Sequence, residues 1–321
     1  MPSPNSTFTE MVSTTLRNHP GEVVDNVTEN NALLRYIKRH GGIKTEAGGY
    51  EIARPLEYAE NSTYQRYSGY DTLNVQASDV ISAAKFDWMQ VAIHVTANGR
   101  ELRQNNSEEA MINLVKARIK NAKNTAANNM SVDIYSDGSL TNQIGGLASM
   151  ITTAGTGTVG GINSATYSFW ANQFYEIPGT NAWSKSNIKG YMNTLWMRQV
   201  RGDDKPNLIL SSHDLYTAYE ESLQDAQRYM SSDSASAGFE ALRYKTADVI
   251  FDDNSNFGTT AEKMYFLNTK YLYLVQHKEA QWSQDDEKKP VNQDAVVVPM
   301  FWMGNLVVTN RNLQGILFDA A

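Results

Sequence analysis

Residues 50 to 75 read YEIARPLEYAENSTYQRYSGYDTLNV. Tyr50, Ile52, Arg54, Leu56 and Tyr58 alternate with small or charged residues, the period-two pattern of a strand. After Ala59-Glu60-Asn61-Ser62 a second run passes through Tyr64, Arg66, Tyr67 and Tyr70 to Val75, so the stretch predicts a long two-stranded hairpin. Two strands with neither a third strand nor a packed helix are marginal in water. The hairpin also carries Tyr and Arg, residue types enriched where proteins touch one another. Tyr50, Arg54, Tyr58, Tyr64, Arg66, Tyr67 and Tyr70 are therefore the candidate residues by which the hairpin would dock on another surface. The plainer alternative is a sheet edge inside the domain.

On the N-terminal side, residues 1 to about 40 read as an extended arm. It has one helical patch, Ala32, Leu33, Tyr36 and Ile37, stopped by Gly41-Gly42. Met1 to Gly21 has too few apolar residues to offset the entropy of ordering, so the arm needs a surface to lie on. On the C-terminal side the clearest helix opens at Asn106 or Ser107 as N-cap, with Glu108 and Glu109 at the positive end of its dipole. Met111, Leu114, Val115, Ile119 and Ala122 form its stripe, which fades over Asn124 to Asn129 and predicts a helix over about 107–128.

A Gly-, Thr- and Ser-rich stretch from about 140 to 165 predicts loops. A helix follows over about 186–200, then a buried strand at Pro206-Asn207-Leu208-Ile209-Leu210. A further helix is announced by Ser211 and Asp214 as a capping box and carries Leu215, Tyr219, Leu223 and Ala226. Beyond Gly238 short strands are expected at Asp248–Phe251, Lys263–Leu267, Tyr271–His277, Ala295–Trp302, Leu306–Thr309 and Leu313–Phe318. The run Asp285 to Lys289 reads as a solvated loop.

Composition narrows the function classes. The 321 residues are 41% apolar, enough for a substantial core, and 28 basic against 35 acidic residues leave a net charge of −7. No window clusters the Lys and Arg of a nucleic-acid footprint, which argues against tight DNA recognition. With no cysteine, disulfides, thiolate zinc sites and cysteine nucleophiles are excluded. No segment reads as membrane-spanning and no basic-then-apolar leader is visible, so a cytosolic site of synthesis is expected.

The five histidines, His19, His40, His94, His213 and His277, lie far apart and make no paired ligand motif. Asp203-Asp204, Asp252-Asp253 and Asp285-Asp286 are adjacent pairs, which point apart on a strand and mark turns. Arg201-Gly202-Asp203 reads as a helix end and polar turn. Nucleophile-elbow, P-loop and dinucleotide-binding glycine motifs are absent from the sequence. No catalytic, metal or cofactor residue is therefore nominated, and the expectation is a protein that is not an enzyme.

The order of polar arm, Tyr/Arg hairpin, long helix, Gly-rich stretch, α/β lobe and terminal strands resembles a tailed-bacteriophage major capsid protein of the Hong Kong 97 fold. The strings that carry the resemblance include Arg54-Pro55-Leu56-Glu57-Tyr58, Gly69-Tyr70-Asp71, Phe86-Asp87-Trp88, Thr158-Val159-Gly160-Gly161-Ile162, Gln227-Arg228-Tyr229 and Gly304-Asn305-Leu306. The resemblance implies an α+β fold with an N-terminal arm at 1–40, an extended β-hairpin loop at 41–80, and a peripheral domain at 81–140 and 291–321 containing the long spine helix. A mixed α/β axial domain would occupy 141–290.

It also implies assembly with itself into pentamers and hexamers around double-stranded DNA, touched without sequence preference. The partners implied are a portal protein, a separate scaffolding protein because the arm starts near Met1 and, in some members, a decoration (cement) protein. No membrane and no cofactor are implied, and the location is the virion, reached from the host cytoplasm. Lys44 and Lys85 flank the hairpin, with no Lys near its tip, so no crosslinking residue is carried over. The competing classes are an encapsulin-like nanocompartment shell, which shares the fold, and a soluble α/β enzyme whose site is assembled from distant residues.

Overall fold

The computed structural model describes residues 32–104, 108–179, 182–223, 242–252, 257, 262–284 and 292–319. Most of the expected arm, the N-cap at Asn106 or Ser107, Ala226 and the run Asp285 to Lys289 lie outside the described residues. The first described element is helix α1 (Ala32–Arg39). Ala32, Leu33, Tyr36 and Ile37 share its buried face, and the chain leaves it at Gly41, whose φ of +68° suits a residue without a Cβ.

Strand β1 (Ile43–Glu46) follows, then β2 (Ile52–Glu57) and β3 (Ile81–Phe86), which form the hairpin ladder from Ile52 opposite Phe86 to Glu57 opposite Ile81. Two expectations are corrected here. The second hairpin strand is 81–86, not the run from Tyr64 to Val75, and the hairpin with its loop spans 52–86 instead of 41–80.

Side chains explain why 58–80 is a loop. Asn61 Oδ1 accepts from the Thr63 amide (2.9 Å), Asp71 Oδ2 from the Ser68 amide (2.8 Å), and Gly69 sits at φ +52°. Such local bonds compete with a ladder. β1 leaves the hairpin altogether and joins a larger sheet.

That sheet has the order β1, β12 (Leu272–Gln284), β13 (Ala295–Val308), β4 (Met89–Asn98), with β1 parallel to β12 and the other pairs antiparallel. β13 is one strand where two were expected. Gly304, the apparent break, lies where a Cβ would meet the Val275 carbonyl at 2.3 Å and the Trp302 ring at 2.7 Å, so glycine admits the close approach of β12.

After the short α2 (Gly99–Gln104), helix α3 (Glu108–Tyr135) runs 28 residues, about 42 Å. It continues past the expected end near 128. Ala122, Ala126, Met130 and Ile134 bury a stripe at intervals of four residues, which carries the helix through the asparagines. The one-turn α4 (Leu147–Met150) and the two-residue strands β5 (Thr158–Val159) and β6 (Ile162–Asn163) occupy the Gly-rich stretch.

The second lobe is a six-stranded mixed sheet with the order β7 (Gln173–Glu176), β14 (Gly315–Phe318), β11 (Lys263–Leu267), β8 (Leu208–Ser211), β10 (Ala247–Phe251), β9 (Leu242–Tyr244). Helices α5 (Ile188–Gln199) and α6 (His213–Ser222) contribute Met192, Leu195, Leu215 and Tyr219 to the cluster containing Ile209, Val249 and Phe266. Leu208, Leu210, Tyr265 and Ile316 belong instead to the main core. Alternate residues thus enter two cores, which explains the unbroken apolar character of these strands.

The capping expectation is corrected: Ser212 is the N-cap of α6, without a side-chain cap bond, while Ser211 ends β8. The chain passes from the six-stranded to the four-stranded sheet between Leu267 and Leu272 and returns to the six-stranded sheet at β14.

Candidate assembly surface

The hairpin is anchored at its root and open at its end. Ile52, Ala84 and Phe86 are buried in the main core, whereas Tyr64, Tyr67 and Tyr70 in the loop are 81%, 66% and 106% exposed. Leu73, Val75 and Ile81 are exposed beside them in sequence, as is Arg66. Burying a large apolar side chain stabilises by about 1.5–3 kcal/mol, so this loop presents apolar area that a second surface could cover.

The seven candidates divide. Tyr50 (99% exposed), Tyr64, Arg66, Tyr67 and Tyr70 face solvent, while Arg54 and Tyr58 are held by their own chain. Arg54 pairs with Glu46 across the start of the hairpin. Tyr58 donates its amide to the Val80 carbonyl (3.1 Å), its ring lies 6.2 Å from that of Phe169, and burial together with Asp79 pushes its hydroxyl pKa upward.

The flanking lysines are also engaged, Lys85 with Glu51 at 2.5 Å and Lys44 over the Tyr273 ring at 3.6 Å. Sequence reasoning missed Ile81, which it took as lying past the hairpin. It also missed the segment at Gly160, where composition announced only loops.

Asp204, Asp252 and Arg201, from the acidic pairs and the polar turn, have structural partners. Asp204 accepts from Tyr271 Oη (2.8 Å) and Lys270 Nζ (3.0 Å), and these bonds hold its carboxyl below the usual range. Asp252, buried, accepts from Tyr135 Oη (2.7 Å) and the Ala32 amide (3.1 Å), tying α1, α3 and the end of β10 together. Arg201 and Asp204 close a two-bond turn at 2.9 and 3.0 Å, with Gly202 at φ +57°.

Among the described residues no group of three or more His, Asp or Glu could hold a metal ion. Among them, too, no helix is long and apolar enough to cross a membrane.

No protein-family model and no curated protein matches the sequence. Solved structures do match. The capsid asymmetric unit of cyanophage A-1(L) is 15% identical, with 92% of this chain and 94% of that chain covered and a TM-score of 0.66. The capsid of a native GTA particle is 10% identical, covering 99% of this chain and 100% of that one, with a TM-score of 0.65. The holo-SrpI encapsulin complex of Synechococcus elongatus PCC 7942 is 8% identical, covers 94% of each chain and scores 0.59. Near-complete coverage in both directions makes this a likeness of the whole fold, from the hairpin to the last strand.

Proposed function

We propose that this chain, which has the Hong Kong 97-type capsid fold, is the non-enzymatic shell protein of a tailed-phage head and assembles with copies of itself around double-stranded DNA. The observation that carries the reading is the hairpin: a root buried in the core and an end bearing three exposed tyrosines. A lone domain gains nothing from such a projection, whereas a lattice of repeated subunits covers each end with a neighbour. In this reading the six-stranded sheet with α5 and α6 forms the axial lobe around pentamer and hexamer centres. The four-stranded sheet with α3 forms the peripheral lobe, and residues 1 to about 40 are an arm lying on adjacent subunits.

Scaffolding, portal and decoration proteins complete the set of partners. The net charge of −7 suits a wall that DNA slides past, with weak contacts indifferent to base sequence.

Electron microscopy of the purified chain, with and without a candidate scaffold, tests the reading alongside the triple variant Tyr64→Ser, Tyr67→Ser, Tyr70→Ser. Closed particles are expected from the parent and folded, unassembled subunits from the variant. Normal particles from the triple variant would remove the hairpin from the interface.

A second reading, a nanocompartment shell, draws support from the likeness to the SrpI encapsulin complex. Particles isolated from the native source separate the two: nuclease-protected DNA supports a phage head, and a protein cargo a compartment.

A further inference from the structure

We infer that Gly160 is a positioning residue that sets the direction in which the hairpin leaves the body. Outside the core contacts at its root, the ladder of β2 and β3 is tied to the β5–β6 segment by the Lys85 amide, which donates to the Gly160 carbonyl at 2.9 Å. The approach there is close enough to need glycine. A Cβ on Gly160 would lie 3.0 Å from the Ala84 Cβ and 3.0 Å from the tip of the Phe86 ring. The backbone also sits at φ +59°.

Beyond this contact the surfaces part. A cleft of about 320 Å³ opens between the hairpin and the same segment, lined by Tyr58, Ile81, Lys85, Gly161, Tyr167 and Phe169. Along the cleft the far half of the hairpin meets the body through Leu56, packed against the main core, and the Tyr58 ring, 6.2 Å from that of Phe169, so a shift of the contact at its foot would re-aim it against these two side chains.

The segment that carries Gly160 is itself fixed. Trp170 Nε1 donates to the Val159 carbonyl (2.9 Å), and Ser164 donates through its amide (3.1 Å) and hydroxyl (3.0 Å) to the Gly157 carbonyl. The buried Arg311 donates to Ser164 Oγ at 3.1 Å. A rigid platform pressed against a two-stranded projection is an arrangement that transmits direction, because ladder strands bend less readily than a loop.

The neighbouring glycine supplies the control. Gly161 also has positive φ, +76°, but a Cβ there meets nothing within 4 Å. Gly161→Ala therefore introduces left-handed backbone strain without touching the hairpin, and Gly160→Ala introduces strain and collision together.

The absence of cysteine allows clean labelling, so Ser68→Cys in the exposed loop and Asp203→Cys on the exposed turn would carry spin labels in unassembled subunits. The expected result is a shifted or broadened loop-to-body distance distribution for Gly160→Ala, parent-like for Gly161→Ala, with Lys85 amide exchange about tenfold faster only in the former. Coincident distributions for the two variants would overturn the inference.

The consequence for assembly rests on the shell reading: Gly160→Ala should give particles of altered or scattered diameter, and Gly161→Ala parent-sized ones. Failure of the parent to assemble would count against the shell reading alone, since the distance measurement stands without it. Equal diameters for both variants beside a real shift in distance would show that the lattice re-aims the hairpin, and would overturn its role in setting particle size.

Discussion

Among single residues, Arg311 makes a heavy demand on its surroundings. It is fully buried, and its guanidinium donates to the Met150 carbonyl (2.5 Å), Ser164 Oγ (3.1 Å) and Thr152 Oγ1 (3.2 Å). Carbonyls of Trp170 and Thr156 stand at 3.4 Å. These partners are neutral oxygens, so the cation is solvated by dipoles in place of water, and burial pushes its pKa down to about 10, still protonated at neutral pH. The planar fork presents five N–H donors in fixed directions, which an ammonium cannot reproduce. Arg311→Lys should therefore lower the unfolding free energy by about 3 kcal/mol, as expected for losing charge-assisted bonds and stranding buried carbonyls. Urea denaturation measures it, and a change below about 1 kcal/mol would mean that water or a shifted loop replaces the fork.

At the scale of elements, α3 shows how small residues decide packing. Ala122 clusters with Val95 of β4 and Met300 of β13, with Ile93 packed against them, so the helix lies close on the four-stranded sheet because its contact side chain is a methyl group. Ala122→Leu adds volume where there is none to spare and should cost about 1–3 kcal/mol in the same denaturation experiment. Leu at the adjacent exposed Asn121 provides the reference, since it changes helix propensity without entering the contact. Equal midpoints for the two variants would show the helix and sheet to be loosely joined. The helix also illustrates the reach of local pattern: the asparagines from 124 to 129 disguised a stripe that Ala126, Met130 and Ile134 continue.

For the whole molecule, buried tyrosines couple stability to alkaline pH. Burial pushes Tyr36 and Tyr244 up to about 12, with Asp248 adding to the shift of Tyr36, and pushes Tyr135, Tyr219 and Tyr265 well above their usual value. In each case the folded state favours the neutral phenol. The unfolded chain releases these protons near pH about 10, so above that pH it binds fewer protons than the fold and stability falls as pH rises. The contribution is complete below about pH 10 and is lost progressively toward about pH 12 and beyond. Urea midpoints followed from about pH 8 to about pH 11 should stay level as far as these groups are concerned and then drop, with tyrosinate absorbance from these rings appearing together with unfolding. Full tyrosinate absorbance near pH about 10 in a still-folded chain would contradict the burial of these rings.

What could be read from the chain alone was what short-range periodicity records. Ala32, Leu33, Tyr36 and Ile37 specify α1, and Ile188, Tyr191, Met192, Leu195 and Trp196 specify α5. Leu208 to Leu210 specify a strand because both of its faces meet apolar neighbours. The exposure of the tyrosine-rich loop has a local origin too, since Tyr64, Tyr67 and Tyr70 stand among polar residues that leave the segment little apolar surface of its own to bury.

Pairing was not legible. Ile81 to Phe86 carries a weaker strand signal than Tyr64 to Val75, yet it takes the place opposite β2 because Ala84 and Phe86 reach the main core and Gly160, far along the chain, lets its backbone meet that of Lys85. A lone Arg in the sequence looks the same whether it lies in water or, as Arg311 does, fully buried among neutral oxygens. Periodicity is a property of neighbours along the chain, whereas the choice of strand partner and the solvation of a buried cation draw their free energy from residues far apart in sequence, which only the folded chain brings together.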